Sequence, residues 1–296
     1  MPEFDCLVAG DANVDLLVEG NDPLEPDTER LASDLNLVLG GSSAITAFNL
    51  ARLGASVAFA GVIADDMFGR FVEEKLTSGG VNLSGLCRMP DAKTGVTIWY
   101  MREGKRSGLT YPGTISLLER AHISRALLST ARHFHVGAYF LHTRLHPDAP
   151  NLFAEAKALG LTTSLDCNYD PREKWDSNLR NVLANTDAFL PNEDEARAIT
   201  GASNFAEAAR ELSTLAKVVV VKRGAAGAFA VTGASQFEMA AVSTNVVDTT
   251  GAGDSFNAGF LTGFVKGRDV LTCLQDGIAA AARSVQKIGG TAAFED

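Results

Sequence analysis

A run of small residues and carboxylates, DTTGAGDSF (248–256), lies near the carboxyl end of the chain. The apolar and small residues that follow it, Phe256, Gly259, Phe260 and Gly263, have helical spacing, which predicts a helix beginning at the Gly-Ala-Gly run. Unpaired backbone N–H groups and the helix dipole favour an anion at such a position, and glycine removes the Cβ that would keep a ligand away. The run therefore predicts a site for phosphate, or for the charge that develops during phosphoryl transfer.

A carboxylate, Asp254, directly follows Gly251, Ala252 and Gly253. It is poorly placed beside a site that only binds phosphate, since like charges repel. It is well placed to accept a proton from a hydroxyl that attacks the phosphoryl group, which predicts a general base. The alternative is an acidic residue that only favours the helix dipole. The chain has neither a GxxxxGK[ST] P-loop nor a GxGxxG fingerprint, so any nucleotide must be bound in another way.

The composition argues against several classes of function. The 296 residues carry a formal net charge of −10 without the basic stripe that nucleic-acid binding requires, and an acidic chain gains nothing from an anionic membrane surface. No apolar stretch reaches the roughly 20 residues that span a bilayer, and the N-terminus lacks a signal-peptide pattern. The four cysteines are widely spaced, which predicts neither a zinc site nor a disulfide framework. We expect a cytoplasmic protein without nucleic-acid or membrane partners.

Short apolar segments alternate with helical patterns along most of the chain. The segments are nearly continuous in Val, Ala, Leu and Phe, as in strands buried on both faces of a parallel sheet. The strand candidates are 6–10, 56–63, 133–141, 161–168, 187–192, 218–222 and 227–232. Strands that alternate with helices predict βαβ units and a parallel sheet covered on both faces.

Two segments interrupt the alternation, 13–41 and 93–114. Both contain strand-like stretches with polar alternation and no helix between them, and the second is predicted to be a hairpin that turns at 103–105. The two could pair into a small separate sheet, a flap that excludes water from a site. The alternative is an ordinary surface excursion.

The string DTTGAGDSF resembles the C-terminal signature of the pfkB, or ribokinase-like, family of carbohydrate kinases. Six other segments resemble family motifs in the family's order: GDANVD (10–15), LGGSSAITAFNLARLG (39–54), DCNYDPREKW (166–175), NEDE (192–195), VVVKRGAAGA (219–228) and AARSVQKIGGTAAF (281–294). The resemblance covers nearly the whole chain. It implies a single domain over 1–296, a three-layer α/β/α sandwich with a small β-sheet lid formed by about 13–38 and 93–114.

The resemblance also implies an activity, transfer of the γ-phosphoryl group of ATP to a hydroxyl of a small carbohydrate such as a ketose, a pentose or a keto-deoxy sugar acid. Asp254 would be the catalytic base, and the backbone of Gly251, Ala252 and Gly253 would form the anion hole. The residues matched to sugar binding are Asp11, Asn13, Asp15, Gly40 and Gly41.

Further matches imply how ATP and cations would be held. The residues matched to the nucleotide are Asn192, Glu195, Lys222, Gly224 and Gly227. Glu195 would act on Mg²⁺ through water, because magnesium keeps most of its own waters. Asp248 and Thr250, with carbonyl groups of 283–290, resemble a monovalent-cation (K⁺) site of many members.

Two positions depart from the family pattern. Ile45 stands where many sugar kinases have an asparagine that contacts the sugar, and Asp170 stands where some members have an arginine. Basic residues of the predicted hairpin, among them Arg102, Lys105 and Arg106, would suit a negatively charged substrate, or are simply solvated. The alternatives are a nucleoside kinase of the same fold and a binding protein that has lost catalysis. The resemblance further implies a homodimer formed through the lids.

Overall fold

Two β-sheets organise residues 2–103 and 105–295, the part of the chain that the computed structural model describes. The strands are β1 Phe4–Ala9, β2 Asn13–Gly20, β3 Ala32–Gly40, β4 Val57–Ala64, β5 Asn82–Met89, β6 Gly95–Arg102, β7 Lys105–Tyr111, β8 Ala131–Val136, β9 Thr162–Leu165, β10 Ala188–Phe189, β11 Val218–Lys222, β12 Ala228–Thr232 and β13 Ser235–Met239. The large sheet has the order β13-β12-β11-β10-β9-β8-β1-β4-β5, and the small sheet has the order β3-β2-β6-β7.

In the large sheet, the pairs β11–β12 and β12–β13 are antiparallel. All other neighbouring strands of this sheet are parallel. The predicted parallel arrangement is therefore wrong for the segment 227–232. The physical reason is the link between β11 and β12: residues 223–227 are too few for a crossover, which takes a dozen residues or more. Three predicted strands, 133–141, 161–168 and 187–192, extend beyond the observed strands, which end at Val136, Leu165 and Phe189.

Helices cover both faces of the large sheet. They are α1 Ser42–Arg52, α2 Met67–Ser78, α3 Arg125–Leu128, α4 Ala149–Ala158, α5 Leu179–Leu183, α6 Glu193–Thr200, α7 Phe205–Leu212, α8 Ala252–Phe264 and α9 Val270–Ser284, with short 3-10 helices at Gly113–Leu117, Arg120–His122, Tyr139–Leu141, Gly224–Ala226 and Ala292–Phe294. Helices α1, α2, α8 and α9 share one apolar core, and α3 to α7 share the other. These two cores confirm the predicted α/β/α sandwich. In the described part of the chain, every helix is too short or too polar to cross a membrane.

The small sheet is built from the two segments that interrupt the alternation. Strands β2 and β3 come from the first segment, and β6 and β7 form the predicted hairpin. Gly104, the centre of the predicted turn, lies outside the described residues. The prediction of a separate sheet is confirmed, and we call this sheet the lid sheet. One of its faces carries Asp15, Thr97 and Trp99, and the other is apolar and exposed.

The order of the large sheet determines where the polar residues meet. Strand β1 lies between β4 and β8, and the chain progresses outward in both directions from this point. In open α/β sheets a crevice forms outside the carboxyl ends of the strands at such a reversal, and ligands bind there. Asp11 follows β1, Asp166 follows β9, Asn192 follows β10 and Lys222 ends β11, so all four lie at this edge.

Candidate active site

The Gly-Ala-Gly run lies at the N-terminus of α8, as predicted. Gly251 precedes the helix in a left-handed conformation with φ of 70°, and Asp254 lies in the first turn. A Cβ at Gly251 would come within 2.5 Å of the Cα of Gly290, so this position needs glycine for its conformation and for its packing. The N–H of Ala252 donates to the carbonyl oxygen of Thr249 at 3.2 Å, and the next N–H groups of this first turn lie beside the Asp254 carboxylate.

Asp254 is held by Ser42, a contact that the sequence did not predict. Ser42, the first residue of α1, donates a hydrogen bond from Oγ to Oδ1 of Asp254. Burial raises the pKa of the half-buried Asp254 to about 7, and the charge of Asp166 adds to this, while the Ser42 hydrogen bond and Lys222 oppose it. A carboxylate with this pKa can accept a proton near neutral pH and pass it on afterwards.

The predicted sugar-binding residues form one buried polar cluster beside α1. Both oxygens of Asp11 accept backbone N–H groups, from Ser42 at 2.9 Å and from Ser43 at 2.8 Å, so Asp11 caps α1. Asn13 donates from Nδ2 to Oδ1 of Asp15 at 3.0 Å. Burial raises the pKa of Asp15 to about 6, and a hydrogen bond from Trp99 limits the rise.

The glycine pair, Gly40 and Gly41, makes room for this cluster. A Cβ at Gly40 would overlap the side chains of Asp15 and Asn13. Gly41 has φ of 90°, and a Cβ there would lie 2.8 Å from the carbonyl oxygen of Asp11. Both glycines are therefore required by the protein's own polar groups, and contact with a substrate stays a prediction.

The two departures from the family pattern have structural explanations. The buried Ile45 packs against Gly290 and Gly251, behind the Gly-Ala-Gly run. Asn49, one turn later, supplies an amide that donates to the carbonyl oxygen of Gly290 at 2.9 Å. Asp170 is buried and accepts three backbone N–H groups of its own loop at 2.8–2.9 Å, so it organises this loop.

Asn192 and Glu195 form a capping box at the start of α6. Asn192 Oδ1 accepts the N–H of Glu195 at 2.9 Å, and Glu195 Oε2 accepts the N–H of Asn192 at 2.8 Å. Burial raises the pKa of Glu195 to about 7, and the negative charge of Asp166 acts in the same direction. A capping box needs its two residues three positions apart, which accounts for the N-x-x-E spacing. The box also holds the Glu195 carboxylate at the carboxyl end of β10.

Lys222 lies in an almost buried ion pair next to the N-terminus of α8. Its Nζ is 2.6 Å from Oδ2 of Asp166 and 3.3 Å from Oδ1 of Asn257. The same Nζ lies 3.6 Å from the position that a Cβ on Gly253 would occupy. Lys222 thus brings a positive charge to the Gly-Ala-Gly run. Gly224 and Gly227 have positive φ values in the turn that follows, and a Cβ at Gly227 would overlap the carbonyl group of Met239.

Asp166 and Asn257 were not predicted to take part in the site, although the sequence contains a signal for each. Asp166 begins the DCN segment at the carboxyl end of a predicted strand. Asn257 lies three residues after Asp254, on the same side of a helix. Asn257 also donates from Nδ2 to Asp166.

A carboxylate pair at this edge fits a divalent cation. Ligand atoms of Asp166, Cys167 and Glu195 lie within 4.8 Å of one another, and all three residues are buried. Magnesium prefers carboxylate oxygen and water, so Asp166 and Glu195 suit it and the thiol does not. Burial raises the pKa of the Cys167 thiol, which donates to Glu195 Oε2 at 3.5 Å.

Asp248 and Thr250 tie the loop before α8 to the C-terminal segment. Oδ1 of Asp248 accepts from the backbone N–H and the hydroxyl of Thr250, at 2.9 and 2.8 Å. Oδ2 accepts the N–H of Gly289 at 2.8 Å. The lid sheet reaches the same place, because Nη1 of Arg106 donates to Oγ1 of Thr250 at 3.2 Å.

The chain is similar to known proteins over nearly its whole length. Residues 4–296 match the pfkB family carbohydrate kinases. A 5-dehydro-2-deoxygluconokinase of Listeria monocytogenes is 29% identical over 306 aligned positions, which cover 96% of this chain and 91% of that protein. An adenosine kinase from Sinorhizobium meliloti superposes with a TM-score of 0.86 at 25% identity, over 97% of this chain and 95% of that chain. The Arabidopsis thaliana ribokinase complexed with ribose and ATP superposes with a TM-score of 0.82 at 24% identity, over 98% and 94%. The chain therefore belongs to the pfkB family of carbohydrate kinases, which are phosphotransferases that act on an alcohol group.

Proposed function

We propose that this protein is an ATP-dependent sugar kinase that transfers the γ-phosphoryl group to a hydroxyl of a small carbohydrate. The observation that carries the proposal is Asp254, a half-buried carboxylate with a pKa of about 7 beside the backbone of 251–253. A base at this position takes the proton of the attacking hydroxyl, and the helix N-terminus stabilises charge on the transferred group. Among ketoses, pentoses and keto-deoxy sugar acids, the name of the Listeria relative favours a sugar acid.

The acceptor sugar would bind between the lid sheet and α8. Asp11, Asn13 and Asp15 offer carboxylate and amide groups to sugar hydroxyls, and a polyol needs several such partners. Ser42 holds Asp254 through Oδ1, so Oδ2 would take the proton. The same serine begins the helix that Asp11 caps, so the N-terminus of α1 connects the base with the sugar-binding cluster.

The phosphoryl donor would lie on the side of β10 and β11. Asp166 and Glu195 would hold Mg²⁺, in part through its waters, and the ion would neutralise charge on the ATP phosphates. Lys222 and the N-terminus of α8 would oppose the negative charge of the transferred group from the other side. Asn192 would keep Glu195 in place through the capping box, and Gly224 and Gly227 would allow ATP to approach the turn after β11.

A monovalent cation such as K⁺ forms part of the proposal. Asp248 aligns the loop of Thr250 with Gly289, and carbonyl oxygens of 283–290 would supply most of the ligands. Such a cation would add positive charge behind the anion hole. Turnover that is equal in K⁺, Na⁺ and tetramethylammonium salts of matched ionic strength would rule this cation out.

A second copy of the chain is the proposed partner of the lid sheet. Its outer face exposes large apolar side chains: Leu35, Leu37, Ile98, Leu109 and Tyr111. Leu109 is 73% exposed, and a contiguous apolar surface of this kind usually marks an interface. Light scattering at micromolar concentration should therefore give a dimer, and Leu109→Lys should give a monomer with unchanged helix content. A monomeric wild type would contradict the proposal.

The experiment that tests the function is ADP release from ATP and Mg²⁺ across ketoses, pentoses, keto-deoxy acids and nucleosides, with Asp254→Asn as the control. A signal that depends on a sugar and is lost in the variant supports the proposal. A signal with nucleosides alone would support the second candidate, a nucleoside kinase, which the similarity to the S. meliloti adenosine kinase favours. No signal with any acceptor, together with normal ATP binding, would indicate a binding protein without catalysis.

A further inference from the structure

Arg106 lies on the inner face of the lid sheet, the face that carries Asp15 and Trp99. The register pairs Asp15 with Thr97 on β6, and side chains at every second residue of a strand share a face. Trp99 therefore points to the same side as Asp15. On β7, Gly108 lies opposite Trp99 and Arg106 lies opposite Met101, which places Arg106 on this face too.

Two contacts hold the guanidinium of Arg106, although β7 is exposed along its whole length. The indole of Trp99 lies across Gly108, where a Cβ would come within 2.5 Å of the ring. The guanidinium stacks on this indole, with its central carbon 4.6 Å from the ring centroid, and cation–π attraction stabilises the pair. Nη1 also donates to Oγ1 of Thr250, the residue before Gly251. The lid sheet thus delivers a positive charge to the edge of the crevice.

The contacts of Trp99 connect this charge with the sugar-binding cluster. Nε1 of the same indole donates to Oδ2 of Asp15 at 3.3 Å. Arg106, Trp99 and Asp15 therefore form one line along the inner face, from the anion hole to the predicted sugar site. Burial raises the pKa of Asp15 overall, and the positive charge of Arg106 opposes this rise.

The guanidinium is not neutralised by the protein. Throughout residues 2–103 and 105–295, no carboxylate forms an ion pair with Arg106, and Thr250 Oγ1 is its hydrogen-bond acceptor. Arginine has five N–H donors in a planar fork, which matches the two oxygens of a carboxylate or phosphate. A fixed guanidinium without a counter-charge at the edge of a site is suited to an anionic group of a ligand.

The charges around the crevice give this cation a specific use. Asp11, Asp15 and Asp254 face the position proposed for the sugar, and they would repel an acceptor with a negative charge of its own. Such an acceptor needs a cation beside the crevice that offsets these carboxylates. Arg106, on the lid sheet, has no carboxylate partner among the described residues. Lys222, next to the N-terminus of α8, is already paired with Asp166.

We propose that Arg106 is a specificity-determining residue that binds an anionic group, a carboxylate or a phosphate, of the acceptor sugar. This inference rests on the proposed sugar-kinase function, and it assigns an acidic sugar as the preferred substrate. The other basic residues of the hairpin do not share this role: Arg102 pairs with Lys105 in the register, and both lie on the outer face.

The test compares acidic and neutral acceptors in the full-length protein. The acceptors are 2-keto-3-deoxygluconate, fructose 6-phosphate and neutral fructose, each at saturating ATP and Mg²⁺. The variants are Arg106→Ala, Arg106→Lys and, as the matched control on the opposite face, Arg102→Ala. Melting temperatures of the three variants within about 2 °C of the wild type show that each is folded.

The expected result is a loss of about 10–100-fold in kcat/KM for the preferred acidic sugar with Arg106→Ala, chiefly through KM, because a hydrogen-bonded charge pair is lost. Arg106→Lys should recover part of the loss, since it keeps the charge without the fork, and Arg102→Ala should change nothing. The larger effect on the keto-acid or on the sugar phosphate identifies which anionic group is bound. Neutral fructose should be affected less than about threefold.

Two results would overturn the inference. Equal losses of kcat for acidic and neutral acceptors would mean that Arg106 acts on the transferred phosphoryl group. An unchanged ratio of kcat/KM for acidic and neutral acceptors would mean that it has no part in specificity. If the wild type phosphorylates no sugar at all, the proposed function fails instead. Calorimetric titration of the same acceptors into wild type and Arg106→Ala then decides the inference, which is refuted by equal affinities.

Discussion

Replacement of Asp254 by asparagine should lower turnover and raise stability together. The isosteric amide still accepts the Ser42 hydrogen bond but cannot take a proton from the acceptor. General-base catalysis contributes about 10²–10⁴-fold to a rate, so kcat should fall by about that factor. ATP affinity should change little, because Asp254 would lie on the acceptor side of the proposed anion hole.

The stability change follows from the raised pKa of Asp254. A folded-state pKa of about 7, against an ordinary 3.8, corresponds to about 4 kcal/mol of destabilisation for a fully shielded carboxylate. Asp254 is only half-buried, so solvent screening reduces this to about 1–2 kcal/mol. The folded protein binds the proton more tightly than the unfolded chain, so the wild type loses stability as the pH rises from about 4 to about 7. The asparagine does not titrate and avoids this loss.

The assay is thermal unfolding of both proteins at pH 5 and pH 8, together with kcat at pH 8. The variant should melt about 2–6 °C higher at pH 8, and the difference should shrink at pH 5. Asp91→Asn, in an exposed turn between β5 and β6, is the matched control and should change neither property. Unchanged turnover would refute the assignment of the base. A variant that melts lower at pH 8 would refute the reasoning from burial.

Three further changes probe the groups around Asp254. Ser42→Ala should lower kcat and move the midpoint of the pH–rate profile upward, because the Ser42 hydrogen bond lowers the pKa of Asp254; an unmoved midpoint would contradict this. Lys222→Met should lower kcat and destabilise the fold by about 3–5 kcal/mol, because it leaves Asp166 buried and without its ion-pair partner. Chemical denaturation measures the free energy of unfolding, and an undiminished value would contradict a stabilising ion pair. Glu195→Gln should raise the Mg²⁺ concentration for half-maximal rate and leave the KM for the sugar unchanged; an unaltered Mg²⁺ dependence would remove Glu195 from the cation site.

Local sequence patterns predicted much of the fold because their causes are local. Apolar runs and helical spacing predicted the sandwich, and the polar alternation of 13–41 and 93–114 predicted a separate small sheet. The antiparallel pairing of β12 was not predicted, since an apolar run is similar in either direction. Only the length of the link from β11 decides that direction.

Local sequence patterns likewise predicted one part of the candidate site, and only the fold shows the rest. The string at 248–256 by itself determined the helix N-terminus and the carboxylate beside it, because a glycine run before a helix is a local signal. It could not determine that Ser42 binds Asp254, since these residues are 212 positions apart and meet only when α1 packs against α8.

The tertiary structure alone decided which charges are paired. Lys222 and Arg106 are both basic residues at strand positions, and nothing in the sequence shows which of them is paired with a carboxylate. In the fold, Lys222 forms an ion pair with Asp166, which directly follows β9. Arg106 instead stacks on Trp99 and donates a hydrogen bond to Thr250. Long-range pairing of strands and helices sets these distances, and the strength of an electrostatic interaction depends on distance and burial, which a sequence does not contain.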